Sequence, residues 1–80
     1  MESKLKLNKG DTLKQVNHKT KGPMQETDIW IYDILNENGA TIGTVIHTDH
    51  TAIKGFGRTQ TVEQKNIFGK TVVDISWSGD

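Results

Sequence analysis

The chain of 80 residues contains no cysteine and a single proline. The lack of cysteine excludes disulfide bonds and thiolate zinc sites, two common ways of stabilising so small a domain. The charge has no excess of either sign, because lysine plus arginine and aspartate plus glutamate number 10 each. General nucleic-acid binders carry a basic excess, since phosphate contacts dominate their affinity. The charge balance therefore argues against that function.

Apolar residues are also scarce. Only 32% of the residues are hydrophobic, and aromatic residues make up 6%. No run is long enough to span a membrane, and the first residues show no signal peptide. We therefore expect one small cytoplasmic domain over residues 1–80 that neither associates with a membrane nor binds a cofactor. This leaves either a lean core or a partner, which would be another protein or a second copy of the chain in a homodimer.

What the chain does contain is an alternation of β-forming runs and turn signals. Residues 28–35 are rich in isoleucine and aromatic side chains, which favour strands. Asn38-Gly39 follows, and this pair favours a hairpin with a type I′ turn. A second turn at 66–69 precedes another β-forming run at 70–77. The pattern predicts an all-β fold, a small antiparallel meander of five to six strands that is barrel-like or a two-layer sandwich.

One segment is open to two interpretations. Leu13 and Val16 are three residues apart, so residues 11–21 form either a strand or a short helix. The helix would begin at Asp11 and end before Gly22-Pro23. We favour the strand because the apolar stripe of the helix has only two members. The helix is kept as an α+β alternative.

The Asn38-Gly39 turn predicts the register of the first hairpin. A two-residue loop places Ile31 opposite Ile46 on one face and Trp30 opposite His47 on the other. The face of Ile31 carries more aliphatic side chains, so we predict that it forms the core. The face of Trp30 is then either exposed or covered by a second layer.

The second hairpin yields a similar prediction. A four-residue loop at 66–69 places Val62 opposite Val73 and Arg58 opposite Trp77. A guanidinium over an indole ring is a favourable cation–π contact. We therefore expect Arg58 to lie on Trp77.

His47, Asp49 and His50 form the sharpest cluster of titratable side chains. Two imidazoles and a carboxylate suit a zinc ion, and the cluster resembles the end of the histidine-rich signature of metallo-hydrolases without its upstream histidine pair. On a strand, His47 and Asp49 lie on one face and His50 on the other, so a three-ligand site requires a turn here. The favoured interpretation is a polar turn between strands, and a metal site is the alternative.

Residues 54–58, Lys-Gly-Phe-Gly-Arg, resemble the opening of the ribonucleoprotein motif in RNA-recognition domains. The resemblance implies a strand whose ring stacks on a base while Lys54 and Arg58 contact phosphates. The favoured alternative is a bent strand with Phe56 turned inward.

No catalytic constellation is evident, so we expect a small non-enzymatic module that binds another protein. Residues 17–27 contain few large apolar side chains and predict a polar loop, where function is often located. Aromatic and arginine side chains dominate protein interfaces. The expected contact residues are Trp30, Tyr32, Lys54, Phe56, Arg58 and Trp77. Two alternatives remain: a single-stranded nucleic-acid-binding domain using Lys54, Phe56 and Arg58, and a metal-binding protein using His47, Asp49 and His50.

Overall fold

The computed structural model describes residues 2–22, 26–51 and 57–78, which form one five-stranded antiparallel sheet. A 3₁₀ turn at Glu2–Lys4 precedes the strands. The strands are β1 (Thr12–Lys21), β2 (Thr27–Leu35), β3 (Thr41–Thr51), β4 (Arg58–Asn66) and β5 (Thr71–Ser78). They lie side by side in chain order, so the predicted all-β antiparallel meander is confirmed. In the described ranges, no helix has the length and hydrophobicity needed to cross a membrane.

The sheet is a single open layer. β1 and β5 lie at opposite ends of the strand order and do not pair, so the sheet is not closed into a barrel. The described strands all belong to this one sheet, in place of the expected barrel-like or two-layer arrangement. The extents of the fold are 45 × 20 × 20 Å. Closure requires two edge strands that can pair, and β1 carries a bulge between Gln15 and Asn17 that interrupts its ladder.

Residues 11–21 do not form a helix, so the α+β alternative is wrong. Thr12–Lys21 is a strand that pairs with β2 along its length, with Leu13 opposite Ile34. The polar residues at 17–21, which we expected in a loop, continue this strand. Pairing with β2 satisfies the backbone of a segment whose apolar stripe is too small to hold a helix on the sheet.

The two hairpin turns are built alike. In the first turn, the Asn36 N–H donates to the Ala40 carbonyl at 2.9 Å, and Gly39 N–H donates to the Asn36 carbonyl at 2.9 Å. The Asn36 side-chain oxygen accepts from the N–H groups of Asn38 and Ala40. Gly39 has φ +82°, a conformation that favours glycine. The loop thus contains residues 37–39, so the predicted two-residue loop is wrong.

The second turn repeats this arrangement thirty residues later. Asn66 accepts from the N–H groups of Phe68 and Lys70 through its side chain, and Gly69 has φ +79°. The common pattern is Asn-x-x-Gly-x-Thr, from Asn36 to Thr41 and from Asn66 to Thr71. In each turn, the asparagine side chain and the glycine therefore fix the backbone conformation.

The register of the first hairpin agrees with the prediction beyond the turn. Ile31 lies opposite Ile46 and Trp30 opposite His47. A bulge between Ile34 and Leu35 offsets the extra loop residue. The predicted pairs are therefore confirmed, although the turn that leads to them differs.

In the second hairpin the same turn and bulge shift the register. Val62 lies opposite Ile75, and Gln60 lies opposite Trp77. The predicted pairs of Val62 with Val73 and of Arg58 with Trp77 are therefore wrong. The irregularity between Gln64 and Lys65 moves every later pair along β5.

The two faces of the sheet differ in burial. The aromatic face carries Trp30, Tyr32, Val45, Val62 and Trp77. The threonine face carries Ile31, Ile46, Thr48 and Thr61. The buried cluster lies on the aromatic face and consists of Ile34, Val45, Val62 and Val73. Ile31 and Ile46 are only half-buried, so the predicted core face is wrong. The deciding side chains come from β4 and β5, which place valines on one face and Thr61, Glu63 and Asp74 on the other.

The N-terminal segment lies on the aromatic face. Leu5 and Leu7 pack against the buried cluster. Between them, Lys6 is held by the buried side chain of Gln64, which bonds both its backbone N–H and its carbonyl. A short, irregular segment thus covers the apolar side of the sheet where a second layer was expected.

Candidate functional site

Four rings stack across the aromatic face, and we call this row the ring ladder. His18 and Trp30 have centroids 5.1 Å apart, with an interplanar angle of 2°. Trp30 and His47 are 5.1 Å apart at 25°, and His47 and Trp77 are 6.1 Å apart at 7°. Lys4 Nζ lies 4.6 Å from the centroid of Trp77 and caps the row. The ladder therefore connects β1, β2, β3 and β5 through their side chains.

The ladder depends on two local features of the strands. The bulge between Gln15 and Asn17 shifts β1 by one residue, which places His18 opposite Trp30. In β4, Gln60 lies opposite Trp77 and diagonally across from His47, and its side-chain oxygen accepts a hydrogen bond from His47 Nε2 at 2.7 Å. Trp77 therefore stacks on His47 diagonally across β4.

The geometry limits what the ladder can bind. Trp30 has a ring on each of its two faces, and so does His47. Neither ring can stack on a base or a sugar unless the ladder separates. Stacking of this kind stabilises aromatic pairs by about 0.5–1.5 kcal/mol each. The main role of the ladder is therefore to stabilise the sheet.

Asp49 lies beside the ladder and is only 7% exposed. Arg58 holds it with a fork: Nε donates to Oδ1 at 2.9 Å and to Oδ2 at 3.0 Å, and Nη2 also contacts Oδ2. These hydrogen bonds lower the pKa of Asp49 more than its burial raises it, and the charges of Arg58 and His47 add to the lowering. Asp49 is therefore an ionised, structural carboxylate and a poor proton donor.

Asp28 lies opposite Asp49 on the same face. Its Oδ1 is 3.2 Å from His18 Nε2 and accepts from the Thr20 hydroxyl at 3.3 Å. Each carboxylate is thus engaged with its own neighbours. This arrangement differs from a shared acid–base pair, in which two environments push the pKa values of two groups apart.

The predicted metal ligands lie on both faces of β3. His47 and Asp49 are on the aromatic face, whereas His50 is on the threonine face, where its Nδ1 is 2.6 Å from the Thr27 hydroxyl. The turn required to bring the three together is missing because β3 continues to Thr51. Among the described residues, no group of three His, Cys, Asp or Glu side chains could hold a metal ion.

The residues of the ribonucleoprotein resemblance are only partly described. Lys54 and Phe56 lie outside the described residues. Arg58 is the first residue of β4, and its guanidinium donates hydrogen bonds to Asp49. A phosphate would therefore have to compete with a buried carboxylate for the guanidinium of Arg58.

The other predicted contact residues share one face. Trp30 and Trp77 belong to the ring ladder, and Tyr32 packs against the buried cluster. The structure thus brings these three side chains together, but in internal contacts.

Among the described residues, the most exposed large apolar side chains lie elsewhere, at the turn between β4 and β5. Ile67 is 65% exposed and Phe68 is 89% exposed, and we call these two residues the apolar tip. The matching positions of the first turn are Glu37 and Asn38, which are polar. Sequence reasoning identified this turn and overlooked its chemistry. The available signal was an Ile-Phe pair at the centre of an Asn-x-x-Gly turn, where polar residues are usual.

Two clefts lie near this end of the sheet. One of about 260 Å³ adjoins the apolar tip, and its walls include Gly43, Thr44, Lys65 and Ile67. Another of about 240 Å³ lies below the N-terminal segment, with Lys6, Asn8, Ile42 and Val72 among its lining residues. Both are smaller than most sites for drug-sized ligands.

Comparison with known proteins found no match: no family model, no curated protein and no solved structure is similar to the chain at a significant level. The function is therefore inferred from the geometry of the chain itself.

Proposed function

We propose that the chain is a non-enzymatic module that binds another protein, with the apolar tip as its anchor. The observation that carries this proposal is the 89% exposure of Phe68 on a turn whose backbone is fixed by Asn66 and Gly69. Aromatic side chains are enriched among the residues that dominate protein interfaces.

The turn itself does not require apolar residues. Glu37 and Asn38 occupy the corresponding positions of an equally built turn. Complete burial of an isoleucine or phenylalanine side chain stabilises a complex by about 1.5–3 kcal/mol. Because the turn is already ordered, little further conformational entropy is lost on binding. The apolar tip is thus well suited to insertion into a pocket of the bound protein.

The surroundings of the tip also support a protein interface. The adjoining cleft lies between the two hairpins and can receive a side chain of the bound protein next to Ile67. Lys65 borders this cleft and lies 3.7 Å from Glu63, and Lys70 follows the turn. An apolar centre with a charged rim is the usual anatomy of such interfaces.

Catalysis is less well supported than binding. The buried carboxylate of Asp49 is held ionised by Arg58, and Asp28 is engaged by His18 and Thr20. A general acid or base needs a pKa near the working pH, opposite to the shift of Asp49.

Photo-crosslinking tests the proposal. A photoreactive phenylalanine analogue replaces Phe68 in the cells from which the chain comes, and the same analogue replaces Asn38 as the matched control. We expect a discrete adduct larger than the chain from position 68, and its loss when Ile67→Ser is added. Equal labelling from positions 68 and 38, or no adduct from position 68, would contradict the proposal.

A further inference from the structure

The two edge strands of the sheet differ in how their free backbone is protected. β1 carries three lysines, Lys14, Lys19 and Lys21, and a bulge at Val16. Lysines and bulges are the devices by which natural sheets prevent pairing at an edge. β1 is therefore a protected edge.

β5 has neither device along most of its length. From Val73 to Ser78 it pairs with β4 in an unbroken register, and Asp74 is its single charged residue. Ile75 is 38% exposed. In the strand order of the described residues, β5 is the last strand, so its outer N–H and carbonyl groups face no other strand. Such a row is a template for one more strand.

We propose that β5 pairs antiparallel with β5 of a second copy of this chain, about a two-fold axis at Ile75. This inference goes beyond the apolar tip, because it concerns a different surface and needs no other protein. The two-fold places each residue of the pair against its own counterpart, as an isologous interface requires.

The register at Ile75 is self-complementary. On the aromatic face, Ile75 meets Ile75 of the second copy, and Val73 meets Trp77. On the threonine face, Asp74 meets Ser76, whose hydroxyl can donate to the carboxylate. A register centred on Asp74 would instead oppose two carboxylates, which is destabilising. A register centred on Ser76 would pair only residues 74–78 of β5, whereas the register centred on Ile75 pairs residues 72–78.

The assembly has a consequence for the apolar tip. The tip lies at the beginning of β5, and the two β5 strands run in opposite directions. The two tips therefore point to opposite ends of the joined sheet. The dimer therefore presents one anchor at each end. Because the two anchors cannot reach the same bound molecule, the dimer can bind two molecules at once.

Sedimentation equilibrium of the purified chain provides the first test. We expect the mass of two chains, each of 8.9 kDa, with dissociation on dilution. Ile75→Lys should yield the mass of one chain, because two lysines would oppose each other at the axis. Val16→Lys is the matched control, since Val16 is 48% exposed on the other edge strand, and it should leave the dimer intact. A parent chain of single mass at all concentrations, a dimeric Ile75→Lys variant or a monomeric Val16→Lys variant would overturn the proposal.

Cysteine variants test the register directly. The chain has no cysteine of its own. Directly opposed residues of antiparallel strands have Cα atoms about 4.5–5.5 Å apart, which falls within the range of a disulfide bond. Ile75→Cys should therefore oxidise to a covalent dimer, with two thiols losing two electrons and two protons to a mild added oxidant such as oxidised glutathione. Asp74→Cys should form one only when mixed with Ser76→Cys. Faster dimer formation by Asp74→Cys alone than by Ile75→Cys would overturn the register.

Discussion

The side-chain amide of Gln64 binds the backbone of Lys6 as a neighbouring strand would. Its oxygen accepts from the Lys6 N–H at 2.8 Å, and its nitrogen donates to the Lys6 carbonyl at 2.9 Å. Gln64 is buried, so both bonds lie where an unpaired polar group is costly. Together with the contact of Lys4 with Trp77, this pairing holds the N-terminal segment on the aromatic face, where Leu5 and Leu7 pack over the buried cluster.

Replacing Gln64 with glutamate should release this segment. A carboxylate cannot donate to the Lys6 carbonyl, and its charge would be buried. We expect a loss of about 1–3 kcal/mol in the free energy of unfolding, measured by urea denaturation. We also expect faster trypsin cleavage after Lys4 and Lys6. Gln15→Glu, at an exposed position of β1, should change neither result. Equal cleavage rates in the two variants would contradict this role of Gln64.

The ring ladder predicts different consequences for two histidines on one strand. His47→Ala removes two stacked pairs, with Trp30 and with Trp77. We expect it to lower the free energy of unfolding by about 1–3 kcal/mol and to change the near-ultraviolet circular dichroism of the tryptophans. His50→Ala is the control because His50 is exposed on the threonine face, and it should cost less than about 0.5 kcal/mol. If the two variants lose equal stability, the ladder does not stabilise the sheet.

The contact between Asp49 and Arg58 predicts a pH dependence of stability. The pKa of Asp49 is lowered from its ordinary value of 3.8 by the hydrogen bonds of Arg58. Its contribution to stability is therefore fully present above that value and is lost as the pH falls through the lower value of the folded state. Arg58→Gln should cost about 1 kcal/mol at pH 7, since Arg58 is half-exposed and screened by solvent.

The measurement is urea denaturation of both chains between pH 7 and pH 2. The difference between the parent and Arg58→Gln should shrink as the pH falls below 3.8. Lys65→Gln, which breaks the exposed contact with Glu63, is the comparison and should have a smaller effect at pH 7. A difference between parent and Arg58→Gln that stays constant to pH 2 would show that the carboxylate is not the source.

Two glycines outside the Asn-x-x-Gly turns should differ in how much stability is lost when alanine replaces them. A Cβ at Gly43 would lie 2.5 Å from the backbone oxygen of Lys65, so β3 and β4 would have to separate there. We expect Gly43→Ala to cost about 1–3 kcal/mol, measured as a lower midpoint of thermal unfolding. Gly57 has open space for a Cβ, and Gly57→Ala should be neutral or slightly stabilising. A neutral Gly43→Ala would mean that the two strands are not this close.

Local chemistry predicted some of this fold, and the interplay of distant strands decided the rest. The strand at 28–35 and its hairpin follow from nearby residues. The pair Ile31 and Ile46 was predicted correctly because a bulge compensated for the longer turn. The core face could not be read from one hairpin, since both of its faces carry apolar side chains. Val62 and Val73, from the other end of the chain, determine which face is buried.

The candidate site was harder to predict than the fold. His18 joins the ring ladder because of a bulge in β1 that the residue types of this strand do not predict. Trp30 and Trp77 are predicted contact residues because they are aromatic, and the sequence leaves open whether the face of Trp30 is exposed. The register across four strands stacks both rings on His47. Phe68 was visible as part of a turn. Its exposure follows only from the Asn66 turn geometry, which directs both central side chains away from the sheet.

One comparison of two double variants tests the proposed function most directly. Ile67→Ser with Phe68→Ser removes the apolar tip, and Glu37→Ser with Asn38→Ser alters the matching polar turn. Each is expressed with an affinity tag in the source cells, its urea unfolding is measured, and the proteins that co-purify with it are quantified by mass spectrometry. Because the substituted side chains are exposed in both turns, we expect free energies of unfolding within about 0.5 kcal/mol of the parent for both variants. The co-purifying protein should be lost only from the first variant. Retention of that protein by the first variant, or its equal loss from both, would contradict the account.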